Sequence, residues 1–118
     1  MTIALTRLPH LSREDFQSYW FEHHAPLVRQ CADVLGILEY HQLHAVAEMP
    51  EANGASRDAR GPSFDGLALV RFQSRQDFEM RLKDRTALAA SRRLAEDERK
   101  FIDRTRSHRW WSEQRTIL

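Results

Sequence analysis

The sequence has little cysteine and no long apolar run, and both shortages narrow what the protein can be. The single cysteine, Cys31, excludes an internal disulfide and suits a reducing compartment. No segment approaches the length of a membrane span, and the apolar stretch within residues 2–7 is far too short for the core of a signal peptide. We therefore expect a cytoplasmic protein that does not act at a membrane.

Net charge is also nearly absent. The formal charge is +1 at pH 7, and the basic residues between positions 92 and 109 are interleaved with acidic ones. This pattern is typical of a solvated, salt-bridged surface rather than of a nucleic-acid interface. We therefore expect no nucleic-acid partner.

Several motifs that would indicate a cofactor or a nucleophile are missing. The chain has no Gly-rich phosphate loop and no Gly-x-Ser-x-Gly elbow. His41 and His44 point to opposite faces of a predicted strand. His23 and His24 diverge on a predicted helix, so neighbouring residues form no metal site. We expect neither a metal nor another cofactor.

The composition that is present indicates one globular domain spanning residues 1–118, with 42% hydrophobic and 30% charged residues. The predicted order is a strand at 2–8, a helix from Ser12 to Cys31 or Val34, a strand at 37–46, a strand at 64–72, a helix capped by Ser74, a helix at 87–102 and a strand at 106–116. Residues 48–63 hold turn formers and no periodic apolar signal. We expect that stretch to be a surface loop, mobile when no ligand is bound.

The first predicted helix contains the most unusual stretch of the chain. Its apolar stripe is formed by Phe16, Trp20, Leu27 and Cys31. His23 and His24 lie on either side of that stripe, so periodicity alone leaves open which imidazole points inward. Pro26 lacks an N–H and clashes with the carbonyl four residues earlier, which predicts a kink at the histidine pair.

The element order is the β-α-β-β-α-β arrangement of an α+β, ferredoxin-like fold, in which a four-stranded antiparallel sheet carries its helices on one face. The strand at 64–72 is apolar on both faces, and the adjacent Trp110 and Trp111 should lie on opposite faces of the last strand. One layer of helices covers only one of these faces. The other would expose an apolar patch that monomers seldom carry, so we expect a homodimer.

Three polar residues on the predicted strands have two interpretations each. Tyr40 and His44 share a face, and they either serve a ligand site or are a packed tyrosine and a surface histidine. Asp65, beside a glycine, is more typical of a turn or strand start than of a base.

Glu98 falls within the apolar stripe of the helix at 87–102. A carboxylate in that position must reach outward to solvent, serve a pocket, or pair with a cation such as Arg7 or Arg109. The pattern favours the ion pair.

Four motifs in order resemble the EthD family of the dimeric α/β-barrel superfamily. They are Trp20-x-x-x-His24-Ala25-Pro26-Leu27 after Ser12-Arg13-Glu14-Asp15-Phe16 with Arg7 upstream, Tyr40-x-x-x-His44, Phe64-Asp65-Gly66, and Asp97-Glu98-x-x-Phe101-x-Asp103. The resemblance covers nearly the whole chain apart from residues 48–63.

The resemblance implies that two four-stranded sheets pack face to face as a dimeric barrel, with a ligand cavity between helices and sheet in each protomer. It also places the family's histidine at His24. Members of this group and its relatives include cofactor-independent decarboxylases, dehydratases, cyclases and lactone isomerases acting on aromatic or polyketide-like compounds. Others are accessory proteins of degradation pathways with no assigned reaction, so function at this level rests on analogy.

The resemblance and the chemistry together indicate a cofactor-independent lyase or isomerase in which His24 moves a proton, since an imidazole with an ordinary pKa near ~6.5 can both accept and donate. The candidate catalytic residues are His24, Tyr40 and His44. The candidate substrate-binding residues are Phe16, Trp20, Asp65, Glu98, Trp110 and Trp111. A non-catalytic ligand-binding or accessory protein is the alternative, and a monooxygenase of the wider superfamily is a more distant third.

Overall fold

The strands and helices follow the predicted order along the chain. The computed structural model describes residues 1–46 and 64–118, so the predicted mobile loop at 48–63 lies outside the described residues. The strands are β1 (Thr2–Leu5), β2 (Ile37–His44), β3 (Gly66–Phe72) and β4 (His108–Trp110). The helices are α1 (Arg13–Tyr19), α2 (Ala25–Leu35), α3 (Arg75–Arg81) and α4 (Arg85–Glu98), and a π-helical turn, Trp20–His24, joins α1 to α2.

The strands of the described ranges form one antiparallel sheet in the order β2-β3-β1-β4. The helices cover one face of this sheet, where Leu5 of β1 and Ala68 of β3 join Phe16 and Trp20 in one buried cluster. This is the α+β, ferredoxin-like fold that the order of elements predicts.

Local sequence signals set both ends of the long first helical segment. The Ser12 hydroxyl accepts a hydrogen bond from the Asp15 N–H at 3.0 Å and caps α1. At the other end, Gly36 adopts a left-handed φ of 70° and ends α2. The sequence predicts both of these positions.

The predicted kink at the histidine pair takes the form of the π-helical turn. The Ala25 N–H bonds to the Trp20 carbonyl, five residues earlier instead of four. The wider turn accommodates Pro26, whose ring would clash with the carbonyl of residue 22 in a regular α-helix. The turn also contributes two buried side chains, Trp20 and His24.

Three elements are shorter than predicted. The strand predicted at 2–8 ends at Leu5, after which Arg7 forms only an isolated bridge to Ile102. The helix predicted at 87–102 ends at Glu98. The strand predicted at 106–116 is only His108–Trp110, because β1 offers no further partner beyond its first residues. Trp111 therefore lies outside the strand, and the expectation that both tryptophans belong to it was wrong.

Within residues 1–46 and 64–118, the core consists of two buried clusters. Phe16, Trp20 and Phe101 are the largest fully buried side chains and lie between the first helical segment and the sheet. Cys31 and Ala87 belong to a second cluster that joins α2 to α4. No helix in the described part of the chain is long and apolar enough to cross a membrane.

The sheet face turned away from the helices carries apolar side chains at the surface. Strand pairing places Leu43, Leu67, Leu69 and Trp110 on this side, which we call the open face. The exposed fractions of Trp110, Leu43 and Leu69 are 48%, 45% and 38%. The apolar surface predicted from the strand at 64–72 is therefore present, although Arg71 and Glu39 add an ion pair at its margin.

Candidate active site

A cavity of about 130 Å³, which we call the inner cavity, lies between the helices and the sheet. Its walls are mainly apolar and include Leu5, Trp20, Val28, Ala68, Val70 and Leu94. Its polar lining residues include His24, Tyr40, Glu98 and Arg109. An apolar protein cavity of ~150 Å³ admits benzene, so the inner cavity has the size of a single ring.

His24 is held in the wall of the inner cavity by a carboxylate. The ring is buried, and its Nδ1 lies 2.8 Å from Oδ2 of Asp97. Within residues 1–46 and 64–118, no group bonds to Nε2, the other ring nitrogen. A neutral imidazole held in this way donates through Nδ1–H and keeps the Nε2 lone pair available for a ligand.

Asp97 also binds to groups on its far side. Its Oδ1 accepts a hydrogen bond from the Tyr19 hydroxyl at 2.7 Å and lies 3.4 Å from Nζ of Lys100. Burial raises the pKa of the Asp97 carboxyl, but the hydrogen bonds from Tyr19 and His24 outweigh burial and hold that pKa below its usual range. Burial and the hydrogen bond to Asp97 raise the pKa of Tyr19 to about 12. Asp97 is therefore ionised beside His24 at neutral pH.

The Tyr40 hydroxyl accepts two hydrogen bonds, from Nε1 of Trp20 at 3.0 Å and from Nε2 of Gln42 at 3.1 Å. Two donors occupy the acceptor positions of a hydroxyl, so its own proton must be donated elsewhere. Burial raises the pKa of Tyr40, although these two hydrogen bonds oppose the increase. Because Tyr40 lines the inner cavity, its hydroxyl is suited to donate to an oxygen atom of a ligand.

His44 acts on the site through its neighbours. It is not among the described residues that line the inner cavity; its ring stacks on Trp20 with centroids 4.7 Å apart. Its Nε2 lies 2.9 Å from Oε1 of Gln42, whose amide nitrogen also donates to the Trp20 carbonyl at 3.0 Å. Burial lowers the pKa of His44, so the neutral ring donates its N–H and fixes the Gln42 amide. His44 thus contacts the Gln42 amide that donates to the Tyr40 hydroxyl.

Glu98 forms the ion pair that the sequence favours, with Arg109 as its partner. The distance from Nη2 of Arg109 to Oε2 of Glu98 is 3.4 Å. Arg109 reaches the helix side of the sheet because it pairs with Ile3, which lines the inner cavity. Glu98 and Arg109 therefore both line the inner cavity.

A second cavity, of about 140 Å³, adjoins the first, and we call it the outer cavity. The two share lining residues, among them Glu98, Arg109 and Ile102. The outer cavity adds the polar residues Arg104, Ser107 and His108. The Glu98–Arg109 pair thus lies where the apolar inner cavity meets a more polar one.

Three aromatic residues predicted to bind substrate are not among the described residues that line the inner cavity. Phe16 is fully buried in the core, and Trp110 lies on the open face. Trp111 packs edge-on against Phe72 and Phe78, with ring centroids 5.7 and 5.6 Å apart. Those two rings do line the inner cavity, so Trp111 supports its wall from outside.

Asp65 connects β3 to the segment after β1 instead of facing the inner cavity. Its buried carboxylate accepts a hydrogen bond from the Arg7 N–H at 2.8 Å and pairs with the guanidinium groups of Arg7 and Arg13. Next to it, Gly66 is required for packing, because a Cβ there would lie 2.6 Å from the Trp20 ring. This arrangement agrees with the structural interpretation of Asp65.

The sequence patterns leave Asp97 and Gln42 without a predicted role. Asp97 belongs to the last of the four motifs, but the apolar stripe of the helix predicted at 87–102 singles out only the adjacent Glu98 as a carboxylate on the inward face. Gln42 lies on the same strand face as Tyr40 and His44, and that alternation is the signal that could have identified it. In the described part of the chain, no three His, Cys, Asp or Glu side chains are grouped as a metal ion would require.

Comparisons with known proteins agree with this fold. The EthD domain family matches residues 8–105, while no protein of curated function matches the chain. Among solved structures, the chain is similar to an ethyl tert-butyl ether D (EthD) family protein from Bacillus halodurans, with 20% identity and a TM-score of 0.53 over 86% of this chain and 84% of that one. At this identity the structural likeness supports the fold alone. Because the family match extends over most of its length, the chain belongs to the EthD family.

Proposed function

We propose that the protein is a cofactor-independent lyase or isomerase that uses His24 to move a proton on an aromatic or polyketide-like small molecule. The candidate reactions are decarboxylation, dehydration, cyclisation and lactone isomerisation. One observation carries the proposal: the buried His24 ring is fixed through Nδ1 by Asp97 and forms part of the wall of an apolar cavity. A mainly apolar cavity with a few convergent polar groups is the usual form of a small-molecule site.

The hydrogen bond to Asp97 prepares His24 for general acid–base catalysis. It places the neutral ring's proton on Nδ1, so that Nε2 can accept a proton from a bound substrate. The imidazolium that forms is stabilised by the adjacent carboxylate, which is already ionised. The same Nε2 then returns the proton to another substrate atom, as lyase and isomerase reactions require.

Tyr40 supplies the second polar contact in the proposed mechanism. Its hydroxyl, held by Trp20 and Gln42, donates a hydrogen bond to a carbonyl or phenolic oxygen of the substrate. Such a donor stabilises the negative charge that develops on that oxygen when His24 removes a proton from the neighbouring carbon. Tyr40 and His24 are thus the proposed catalytic residues, and His44 and Asp97 are positioning residues.

Deuterium exchange tests this function without knowledge of the natural substrate. Cyclohexanone has a single ring and an acidic carbon beside its carbonyl, so the protein should accelerate deuterium incorporation from D₂O into that carbon, measured by NMR. His24→Gln should lower the rate by roughly 100-fold or more, the scale of a lost general acid–base residue. His23→Gln is the matched control, because His23 is exposed and stacks on Tyr19 outside the inner cavity. It should keep the full rate, and both variants should melt within a few degrees of the wild type.

The alternative function is non-catalytic ligand binding or an accessory role in a degradation or biosynthetic pathway. The inner cavity is compatible with it, because a volume of one ring and apolar walls are sufficient for binding without any proton transfer. Binding of cyclohexanone without exchange above the buffer rate would support this alternative. Equal exchange rates in the wild type and in His24→Gln would remove His24 as the base.

We also propose that the protein works in the cytoplasm as a single-domain homodimer, in which the open faces of two copies pack together as a barrel. The support is the exposure of Trp110, Leu43 and Leu69 on one side of the sheet. A contiguous apolar surface of this kind is typically buried in a subunit interface.

A further inference from the structure

We infer that the ligand of the inner cavity is a monocyclic carboxylic acid, such as an aromatic acid or a cyclic keto acid, and that its carboxylate binds to Arg109 at the outer cavity. This inference rests on the proposed function, because it takes the inner cavity to be the place where the ligand's ring lies. It adds the chemical class of the substrate. It also adds Arg109 as a binding residue, whereas the sequence pattern indicates Arg109 only as an ion-pair partner of Glu98.

The arrangement of the two cavities gives the first argument. The inner cavity has the volume of one ring and mainly apolar walls, whereas the outer cavity adds the polar residues Arg104, Ser107 and His108. Glu98 and Arg109 line both cavities. A ligand whose ring fills the inner cavity would therefore present a polar substituent to the guanidinium of Arg109.

The bonding of Arg109 gives the second argument. A guanidinium carries five N–H donors, yet in the described part of the chain this side chain makes a single contact, at 3.4 Å, with Glu98. The Arg109 side chain is 57% exposed and that of Glu98 is 16% exposed. An ion pair that is long, single and partly solvated is weak, so a ligand carboxylate in bidentate geometry can replace it.

The local charge favours a monoanion as the ligand. Arg104 is exposed and makes no hydrogen bond or ion pair in the described ranges, so it adds an unpaired cation near the Glu98–Arg109 ion pair. Ser107 is already bonded to the Thr6 backbone and to the Asp103 carbonyl. Two arginines against the single carboxylate of Glu98 give the lining of the outer cavity a formal charge of +1, with His108 counted as neutral. The planar guanidinium fork matches a carboxylate.

Two probes that differ only in charge test the inference. 4-Hydroxybenzoate and 4-hydroxybenzamide share the ring and the hydroxyl, but only the first carries a carboxylate. We expect the wild-type protein to bind the benzoate about 10- to 100-fold more tightly in calorimetric titrations, the range for a charge-assisted hydrogen-bonded contact. Arg109→Gln should abolish this preference without lowering the affinity for 4-hydroxybenzamide.

Glu98→Gln gives an effect of opposite sign, which a merely structural role of the ion pair would not produce. Removing the competing carboxylate leaves Arg109 free, so this variant should bind the benzoate more tightly than the wild type and the benzamide equally well. Arg99→Gln is the matched control, because Arg99 is exposed and is not among the described residues that line either cavity. It should reproduce the wild-type preference.

The outcomes separate this inference from the proposed function. Equal affinities for the two probes, with shifts of the His24 ring signals in NMR spectra, would overturn the carboxylate site and leave the proposed function standing. An Arg109-dependent preference for the benzoate without any response of His24 would support the anion site and contradict the proposed role of His24. Failure of the benzoate to bind to the wild type, or weaker binding in Glu98→Gln, would overturn the inference.

Discussion

Nδ1 of His24 and Oδ2 of Asp97 lie 2.8 Å apart, although 73 residues separate them in the sequence. The π-helical turn brings the imidazole to the inner cavity, and α4 brings the carboxylate to the opposite side of the ring. Asp97 also lines an open groove on the surface together with Tyr19 and Lys100. The pair thus lies between the inner cavity and this groove, which is the arrangement that the proposed proton transfer by His24 would use.

Because the pKa of Asp97 is lowered in the folded protein, the free energy of unfolding should depend on pH in the acidic range. A carboxyl whose folded pKa lies below its unfolded value of ~3.9 stabilises the fold above that value, and this contribution is lost as the pH falls through the folded pKa. The free energy of unfolding of the wild type should therefore decrease below about pH 4. Asp97→Asn should be less stable by about 2 kcal/mol at pH 7, the scale of hydrogen bonds to a charged group, and should show a shallower decrease in acid.

Urea denaturation at pH 7, 5, 4 and 3 measures this difference. Asp33→Asn is the control, because Asp33 is exposed and its carboxylate makes no ion pair within the described residues. It should retain the wild-type profile. An unchanged acid slope in Asp97→Asn would show that the contacts of Asp97 do not stabilise the fold.

Gln42 is expected to affect catalysis through Tyr40. Gln42→Leu keeps a similar volume but removes the hydrogen bonds to the Tyr40 hydroxyl and the Trp20 carbonyl. The Tyr40 hydroxyl then keeps only the hydrogen bond from Trp20, so its orientation is less restricted. We expect kcat for deuterium exchange to decrease by roughly 10-fold with little change in KM, the pattern of an interaction made in the transition state.

Gln17→Leu is the matched control for Gln42. Gln17 also donates to backbone carbonyls, those of Ala45 and Asp65, but it is not among the described residues that line the inner cavity. Its loss should lower stability without changing kcat. Equal kinetic effects of both substitutions would mean that Gln42 contributes only to stability.

Local patterns predicted the parts of the fold that depend on nearby residues. The Ser12 cap, the Gly36 stop and the shared face of Tyr40 and His44 all follow from backbone geometry over a few positions. The length of β4 did not follow, because it is set by how many residues of β1 remain to pair with it. Trp111 was misplaced for the same reason.

The site was predictable only where a motif placed a residue on the inward face. The resemblance placed His24 among the candidates, and this residue lines the inner cavity, while its catalytic role stays a prediction. The pattern of the helix at 87–102 favoured the ion pair of Glu98, which is present. Asp97 and Gln42 were missed because their roles depend on tertiary contacts with His24 and Tyr40, and periodicity carries no information about such contacts. The unpaired donors of Arg109 were likewise visible only in three dimensions.

Asp65 should be essential for stability and dispensable for ligand binding. Its buried carboxylate satisfies the Arg7 N–H and two guanidinium groups, so Asp65→Ala leaves these donors without an acceptor. We expect a loss of about 3 kcal/mol, the scale of breaking a buried ion pair by removing one partner. Thermal and urea unfolding measure it.

Asp77→Ala provides the comparison for Asp65. Asp77 pairs with Arg81 one helical turn later on the surface of α3, an arrangement worth roughly 0.3–0.5 kcal/mol. Its removal should therefore have a much smaller effect. Under conditions in which Asp65→Ala is folded, its affinity for 4-hydroxybenzoate should equal that of the wild type. A folded variant that no longer binds the benzoate would show that Asp65 contributes to ligand binding.

The open face provides the last prediction, that two copies associate through it. A stable interface generally buries about 1,200–2,000 Å² in total, with apolar residues at its centre. Leu69 lies on β3, a central strand of the sheet, where a charged side chain would be desolvated without a partner if the open faces pack together. Leu69→Asp should therefore convert a dimer into a monomer, as measured by light scattering at low micromolar concentration.

Met80→Asp is the control, because Met80 is also an exposed apolar residue but belongs to α3, on the opposite side of the sheet. It should remain dimeric, whereas a wild-type protein that is monomeric in this assay would remove the basis for the proposed barrel.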